Sequence, residues 1–84
     1  MEKLRNDLLN NREKLIFGAD RNLKLLKNDR LQRLYLAGNC RQDVKDTIKI
    51  IGKKIELIEL EETNDEIGVV CKKPFSISVI GLSK

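Results

Sequence analysis

The sequence predicts an α/β fold in which a four-stranded sheet is covered by helices on both faces. Short apolar runs alternate with amphipathic stretches along the whole chain, in the order α-β-α-β-α-β-α-β. Regular alternation of this kind is typical of a sheet between two helical layers. The length of 84 residues fits a single domain over positions 1–84.

The first half of the chain contains two predicted helices and two predicted strands. They lie at positions 1–11, 13–17, 18–28 and 33–38, in the order helix, strand, helix, strand. The helices show apolar residues three or four positions apart, and the strands are short apolar runs. Gly18 separates the first strand from the second helix, and Asn28-Asp29 marks the turn that follows.

The second half repeats this pattern. A helix is expected from Asp43 to Gly52, a strand over 54–60 and a last strand over 75–80. Between those strands, Thr63 and Glu66 have the spacing of a capping box, which predicts a short helix that Pro74 ends. We expect Asn39, or the residues just after it, to cap the helix that begins near Asp43.

Composition excludes several chemistries. The chain has no His, so a histidine-based triad or a His-ligated zinc site cannot occur. Cys40 and Cys71 lie far apart and form no CxxC motif, which predicts two free thiols in a reducing cytosol, with a disulfide as the less favoured alternative. We expect no enzyme activity, no metal and no cofactor. No signal peptide and no membrane span are expected either.

A glycine-led helix start is the first candidate binding feature. Gly18 follows the apolar run 15–17, and Arg21, Lys24 and Lys27 share the polar face of the helix that begins there. A helix start exposes unpaired N–H groups and carries partial positive charge, so it attracts phosphate. The alternative is an ordinary strand-to-helix turn with a solvated basic face, because no second glycine or GK[ST] follows. The net charge of +4 is only a mild bias toward polyanions.

Three loops carry the remaining candidate groups, at positions 18–21, 38–41 and 72–76. If the sheet is mixed, all three loops can meet at one edge of it. Together they offer basic charge for phosphates, an amide for a base edge and an aromatic ring for stacking. These groups are Arg21, Lys24, Asn39, Lys72, Lys73 and Phe75.

Each of these residues has an ordinary structural interpretation as well. Strand alternation places Phe75 on one face with Ile77 and Val79, which favours a core position. Asn39 fits a turn or a helix cap equally well. Adjacent lysines such as Lys72 and Lys73 are most often solvated.

At this point the chain resembles the L-thirty-e family of ribosomal proteins from the large subunit of archaea and eukaryotes. That family is a branch of the kink-turn RNA-binding superfamily. The resemblance covers about residues 13–82. The motifs that carry it are Asn39-Cys40, the segment Asp43–Asp46, and the order Ile67-Gly68, Cys71, Lys73-Pro74-Phe75-Ser76-Ile77-Ser78. The chain departs from the superfamily at Asp20-Arg21, where the guide-RNA members have Asn-Glu, and at Lys72, which stands in place of Gly.

The resemblance implies a three-layer α/β/α sandwich that binds a sharply bent RNA internal loop containing tandem G·A pairs. It implies a structural role in the cytoplasmic ribosome, with ribosomal RNA and other ribosomal proteins as partners, and a monomer outside the ribosome. The alternatives are a guide-RNA or other kink-turn particle, and a protein-interaction module on the same fold. The RNA-binding residues expected from these arguments are Gly18, Arg21, Asn22, Lys24, Lys27, Asn39, Lys73, Pro74, Phe75 and Ser76.

Overall fold

A computed structural model describes residues 2–84 and contains the predicted alternation of four helices and four strands. Met1, which the sequence placed in the first helix, lies outside the described residues. The helices are α1 (Glu2–Asn10), α2 (Ala19–Lys27), α3 (Gln42–Ile51) and α4 (Asn64–Val70). The strands are β1 (Leu15–Phe17), β2 (Leu31–Leu36), β3 (Glu56–Glu59) and β4 (Val79–Ser83).

The four strands form one mixed sheet in the order β1-β4-β2-β3. Strand β4 is antiparallel to both β1 and β2, whereas β2 and β3 are parallel. The carboxyl ends of β1, β2 and β3 therefore lie at the same edge as the amino end of β4. We call this the loop edge; it consists of Gly18 and the loops at positions 37–41, 60–63 and 71–78.

Helices cover both faces of this sheet. On one face the Asp7 side chain of α1 receives a hydrogen bond from the Tyr35 hydroxyl of β2. On the other face Asn22 of α2 lies against Gly81 of β4, and Gly52 at the end of α3 approaches Leu26 of α2. The α/β/α sandwich is confirmed. Within residues 2–84, no helix combines the length and the apolar character needed to cross a bilayer.

The core lies between these layers. Strands β1, β2 and β4 contribute buried aliphatic side chains to it, and β3 contributes only partly buried ones. Strands β2 and β4 lie at the centre of the sheet and supply most of it. Helices α3 and α4 add Ile48 and Ile67. The buried side chains of the two central strands are Leu31, Leu34, Tyr35, Leu36, Val79, Ile80 and Leu82.

Several strand boundaries differ from the prediction. Residues Arg12–Lys14 form a 3-10 turn, so β1 begins at Leu15 and not at Glu13. Strand β2 runs from Leu31 to Leu36 and not over 33–38, because the Gly38 amide donates to the Glu62 carbonyl outside the ladder. Strand β3 is shorter than predicted and covers only Glu56–Glu59.

The last strand shows the largest shift, from the predicted 75–80 to Val79–Ser83. The Ile77 amide donates to the Asn64 carbonyl at 3.0 Å, which holds this part of the chain against α4 and outside the sheet. Phe75 is therefore a loop residue and does not share a strand face with Ile77 and Val79.

Candidate nucleic-acid interface

The glycine-led corner is built by backbone conformation. Gly18 has φ of 110° and ψ of 145°, a combination that L side chains rarely adopt, and it is the N-cap residue of α2. Its amide donates to the Val79 carbonyl at 3.0 Å, which joins the corner to the start of β4. A Cβ at this position would meet no atom within 4 Å. Glycine is therefore required here for its conformation, and the space beside it stays open to a ligand.

Asn22 stabilises this corner from inside. Its Nδ2 donates to the Gly18 carbonyl at 2.7 Å and to the Ile16 carbonyl at 3.0 Å, and its side chain is fully buried. Gly81 makes room for it, since a Cβ there would lie 1.8 Å from Asn22 Oδ1. The expectation that the Asn22 side chain contacts RNA is corrected, because that side chain is not on the surface. Its position three residues after Ala19 and four before Leu26, on the apolar face of α2, is the sequence signal that was missed.

The loop before β4 begins with an unusual helix end. The Lys72 and Lys73 amides donate to the Val69 and Gly68 carbonyls at 3.0 and 2.9 Å, which is the pattern of a Schellman motif. Lys72 has φ of 58°, at the position where glycine is usual. Gly68 lets the loop fold back over α4, because a Cβ there would lie 2.3 Å from the Phe75 carbonyl oxygen.

This loop exposes Phe75, whose residue surface is 55% accessible. The ring borders a groove of about 430 Å³ that reaches Gly18, Arg21 and Lys73. Lys73 Nζ lies 4.9 Å from the centroid of the Phe17 ring on the same groove. The core alternative for Phe75 is wrong, and the ring has the exposure that a stacking role requires.

Asn39 connects the second loop to α4. Its Nδ2 donates to Asn64 Oδ1 at 3.0 Å, and its Oδ1 accepts the Asn64 amide at 2.8 Å. It does not cap α3, whose N-cap residue is Arg41 with no side-chain cap. The capping box of Thr63 and Glu66 at the start of α4 is confirmed. Asn39 is thus held at the loop edge with one N–H of its exposed amide still free to donate.

Three cations at or beside the loop edge are unpaired in the described chain, whereas Arg41 pairs with Asp43 at 3.2 Å. Among residues 2–84, no ion pair involves Arg21, Lys24 or Lys73. Arg21 and Lys24 also share a cleft with Ile16 and Leu25, one turn along α2. Arg21 and Lys73 border the groove under Phe75, and Lys24 lies beside Arg21 farther along α2.

Lys27 does not join that group. It lies in the last turn of α2, about 12 Å along the helix axis from its start. There it borders a different groove with Asp29, Ile50 and Lys54. The structure therefore brings eight of the ten expected residues together at the loop edge and the first turn of α2, with Asn22 beneath the surface. Lys24 lies farther along α2 beside Arg21, and Lys27 lies apart.

The two cysteines are buried and free, as predicted. Burial raises the pKa of both thiols, which keeps them protonated and unreactive near neutral pH. Within the described part of the chain, His, Cys, Asp and Glu side chains form no group of three or more that could hold a metal ion.

A family model decides what kind of protein this fold and this loop edge belong to. The model of the ribosomal protein L7Ae/L30e/S12e/Gadd45 family matches residues 2–84. The chain belongs to this family.

Curated relatives of the chain are archaeal ribosomal proteins. The chain is 37% identical over 71 residues to the large ribosomal subunit protein eL30 of Sulfolobus acidocaldarius, covering 82% of this chain and 68% of that protein. The eL30 of Sulfurisphaera tokodaii is 34% identical over 71 residues, covering 82% and 67%. The eL30 of Methanosarcina mazei is 35% identical over 69 residues, covering 82% and 65%. The matched part of the chain thus spans about two thirds of these relatives, and less in the last case.

Solved structures share the fold at low sequence identity. A Giardia lamblia 15.5kD RNA binding protein superposes with a TM-score of 0.73 at 16% identity, covering 100% of this chain and 77% of that one. A protein of unknown function from Bacillus halodurans superposes with a TM-score of 0.71 at 17% identity, covering 88% and 75%. These likenesses confirm the α/β/α fold prediction.

Proposed function

We propose that this chain is an RNA-binding protein of the large ribosomal subunit and that it binds a kink-turn in ribosomal RNA. The observation that carries the proposal is the loop edge, where unpaired cations surround an exposed aromatic ring and an open glycine corner. The family and the name of the archaeal relatives support the ribosomal assignment. The kink-turn rests on the resemblance described above and on the shape of this edge.

Phosphate contacts come from the cations and from α2. Arg21, Lys24 and Lys73 supply full charges, and the unpaired N–H groups at the start of α2 supply partial ones. The empty space beside Gly18 lets an RNA strand approach the backbone closely. Contacts of this kind fix the position of the RNA and favour a backbone that is bent to match the protein surface.

Base contacts come from the other two loops. The exposed ring of Phe75, flanked by Pro74 and Ser76, offers a flat surface for a base that the bend has unstacked. The free N–H of the Asn39 amide reaches a base edge. Recognition thus combines shape with a few base contacts and requires no catalytic group.

The proposed setting is the cytoplasmic ribosome. Ribosomal RNA and neighbouring ribosomal proteins are the partners there, and the chain is a monomer before assembly. The rest of the relatives' length is not matched by this chain, so contacts made by that part in the relatives are not transferred.

The proposal is tested by fluorescence anisotropy with a labelled kink-turn RNA. The matched control RNA replaces the tandem G·A pairs with Watson–Crick pairs and stays straight. We expect the bent RNA to bind about 1,000-fold more tightly than the straight one, the lower end of the range that separates specific from non-specific binding. Affinity for both RNAs should fall steeply between about 50 and 200 mM salt.

Other outcomes would assign the chain differently. Equal affinity for the two RNAs would contradict kink-turn recognition. Tight binding to guide RNAs and none to a ribosomal kink-turn would favour the guide-RNA particle. No salt-dependent binding to any RNA would leave the protein-interaction module as the function.

A further inference from the structure

A second surface, between α1 and α4, adjoins the loop edge at Lys72 and is otherwise formed by different residues. It is a groove of about 420 Å³ lined by Arg5, Leu8, Leu9, Arg12, Val70 and Lys72. We call it the α1/α4 groove. It lies on the outer side of the helical layer, with Leu8 and Leu9 contributed by α1 and Val70 by α4.

The floor of the α1/α4 groove is aliphatic. Leu9 is 81% exposed, the largest fraction among the exposed large hydrophobic residues of the described chain, and Leu8 and Val70 beside it are half-buried. Exposure of a leucine side chain to water is unfavourable, and its burial under a partner lowers the free energy. A contiguous apolar patch with a polar rim is typical of a protein-binding surface.

The rim of the groove is entirely basic. Arg5, Arg12 and Lys72 line it, and no acidic side chain does. None of the three forms an ion pair within residues 2–84. Arg12 Nη2 donates to the Cys71 carbonyl at 3.4 Å, so its charge is held across the end of α4.

Lys72 adds an independent observation. It occupies the left-handed position of the Schellman motif with φ of 58°, where glycine would carry no side-chain strain. The lysine in this conformation places a third cation on the rim of the groove. Backbone strain of this kind is concentrated at functional sites.

We infer that the α1/α4 groove binds a protein segment with aliphatic anchors flanked by acidic residues, in the manner of an amphipathic helix seated in a groove. The basic rim is complementary in charge to acidic residues of the bound segment, and the aliphatic floor is complementary to its leucine-like side chains. RNA fits less well, because the lining residues include no aromatic ring for stacking and no amide or hydroxyl for a base edge.

The test uses the 84-residue chain and a labelled synthetic peptide of about fifteen residues, with leucines on one helical face and glutamates on the other. Binding is followed by amide chemical shifts and by anisotropy. One control peptide carries glutamine for glutamate, a second carries serine for leucine, and a single-stranded RNA oligonucleotide is the competing ligand. We expect saturable shifts at the groove residues with the first peptide and at least about tenfold weaker binding by both control peptides, because each removes one of the two matched features.

Variants locate the binding on the protein. Leu9→Ser and Arg5→Glu should each weaken the acidic peptide about tenfold, and Ile50→Ser and Lys53→Glu are matched exposed controls that should leave it unchanged. Leu9 and Arg5 project from the surface, so the variants should fold, and thermal melting checks this. Kink-turn RNA affinity should be unchanged in all four, which separates this inference from the proposed function.

Three results would overturn the inference. The first is no saturable shift in the groove at millimolar acidic peptide. The second is equal weakening by the control variants. The third is preferential binding of the RNA oligonucleotide in the groove, which would make this surface an extension of the RNA interface.

Discussion

The two ends of the sheet differ in how their charged side chains are paired. At the loop edge, Arg21, Lys24 and Lys73 form no ion pair within the described residues. Toward the other end, near the starts of β2 and β3, charged and polar side chains form a connected network. We call it the Asp7 cluster; it consists of Lys3, Asp7, Asn11, Arg33, Tyr35 and Glu56.

The Asp7 cluster is a closed set of partners. Asp7 is only 4% exposed, and its carboxylate accepts from the Tyr35 hydroxyl at 2.5 Å, Arg33 Nη1 at 2.8 Å and Asn11 Nδ2 at 3.1 Å. Arg33 also donates to Glu56 at 2.8 Å, and Glu56 pairs with Lys3. The cluster joins α1 to β2 and β3.

This difference assigns stability to one end of the sheet and ligand binding to the other. Charges in the Asp7 cluster are already satisfied by the protein, so they hold α1 in place and have little left for a ligand. At the loop edge and on α2 beside it, Arg21, Lys24 and Lys73 form no ion pair within the described residues, so their charges are available to phosphates. Substitutions in the cluster should therefore change the free energy of unfolding, and substitutions at the edge should change RNA affinity.

The largest effect is expected for Asp7→Asn. The change removes the charge that Arg33 and Tyr35 face in a buried site, and we expect it to lower the free energy of unfolding by about 3 kcal/mol. Urea denaturation measures this. The control is Glu59→Gln, which breaks the half-exposed pair with Lys49 and should cost less than about 1 kcal/mol. An equal decrease in the free energy of unfolding in both variants would show that the Asp7 cluster makes no special contribution to stability.

Acid should weaken the same cluster. Burial opposes the charged form of Asp7, but the hydrogen bonds from Tyr35, Arg33 and Asn11 outweigh it, so the pKa of Asp7 lies below its ordinary value of 3.8. On acidification the unfolded chain therefore takes up this proton first. The stability that Asp7 contributes is complete above 3.8 and is lost as the pH falls through the lowered pKa. Urea midpoints measured down to about pH 2 should fall more steeply in the native chain than in Asp7→Asn, and parallel curves would contradict this.

At the loop edge, Phe75→Ala should reduce affinity for the kink-turn RNA by about 1–3 kcal/mol, because a base loses its stacking partner. Since the ring is exposed, the free energy of unfolding should change by less than about 0.5 kcal/mol. Anisotropy and thermal melting on the same variant separate the two effects. Ile50→Ala is the matched control, with its exposed side chain on a different groove. A large drop in melting temperature with normal affinity would refute the stacking role.

A smaller effect is expected for Lys24→Ala. Lys24 contacts phosphate in our proposal, so its removal should weaken binding to good and poor RNA sites alike and reduce the salt slope by about one unit. Lys27→Ala is the control on the same helix, because Lys27 lies away from the loop edge and should leave the slope unchanged. The same change in slope for both lysines would mean that RNA covers the whole length of α2.

The smallest effect is expected for Lys72→Gly. Glycine adopts φ of 58° without strain, so the free energy of unfolding should rise by about 0.5–1 kcal/mol. The loss of the lysine charge should weaken binding at the loop edge and at the α1/α4 groove. Denaturation midpoints test the change in stability. Asp29→Gly is a matched comparison, since Asp29 has φ of 55° in a turn. A destabilised Lys72→Gly variant would show that the lysine side chain itself stabilises the helix end.

The sequence predicted the helices closely and the strands less well. Helix signals are local: the apolar spacing of α3 and the capping box at Thr63 lie within a few residues of the elements they define. Strand ends depend on distant partners. The alternation from Phe75 onward looks like a strand, and only the bond from the Ile77 amide to the Asn64 carbonyl, 13 residues away, keeps it out of the sheet.

The same distinction holds for the candidate site. The sequence predicted that the three loops can meet at one edge if the sheet is mixed, and the mixed sheet places Gly18, Asn39 and Phe75 there. The burial of Asn22 was missed because its two carbonyl partners depend on how the corner closes. The Asp7 cluster was missed because Asp7 and Tyr35 are 28 residues apart, although an arginine and a tyrosine on one face of β2 are a sign of such a network.

The position of β4 has a consequence for biosynthesis. Strand β4 lies between β1 and β2, yet it is the last of the four strands to leave the translating ribosome. Until it inserts, β1 has no partner in the sheet and the Gly18 amide has no Val79 carbonyl to bind. The nascent chain can form the β2–β3 pair early, but the Gly18 corner joins the other loops of the proposed RNA-binding edge only when β4 inserts. Because such long-range pairing is slow, we expect a newly made chain to gain RNA affinity only after β4 has inserted.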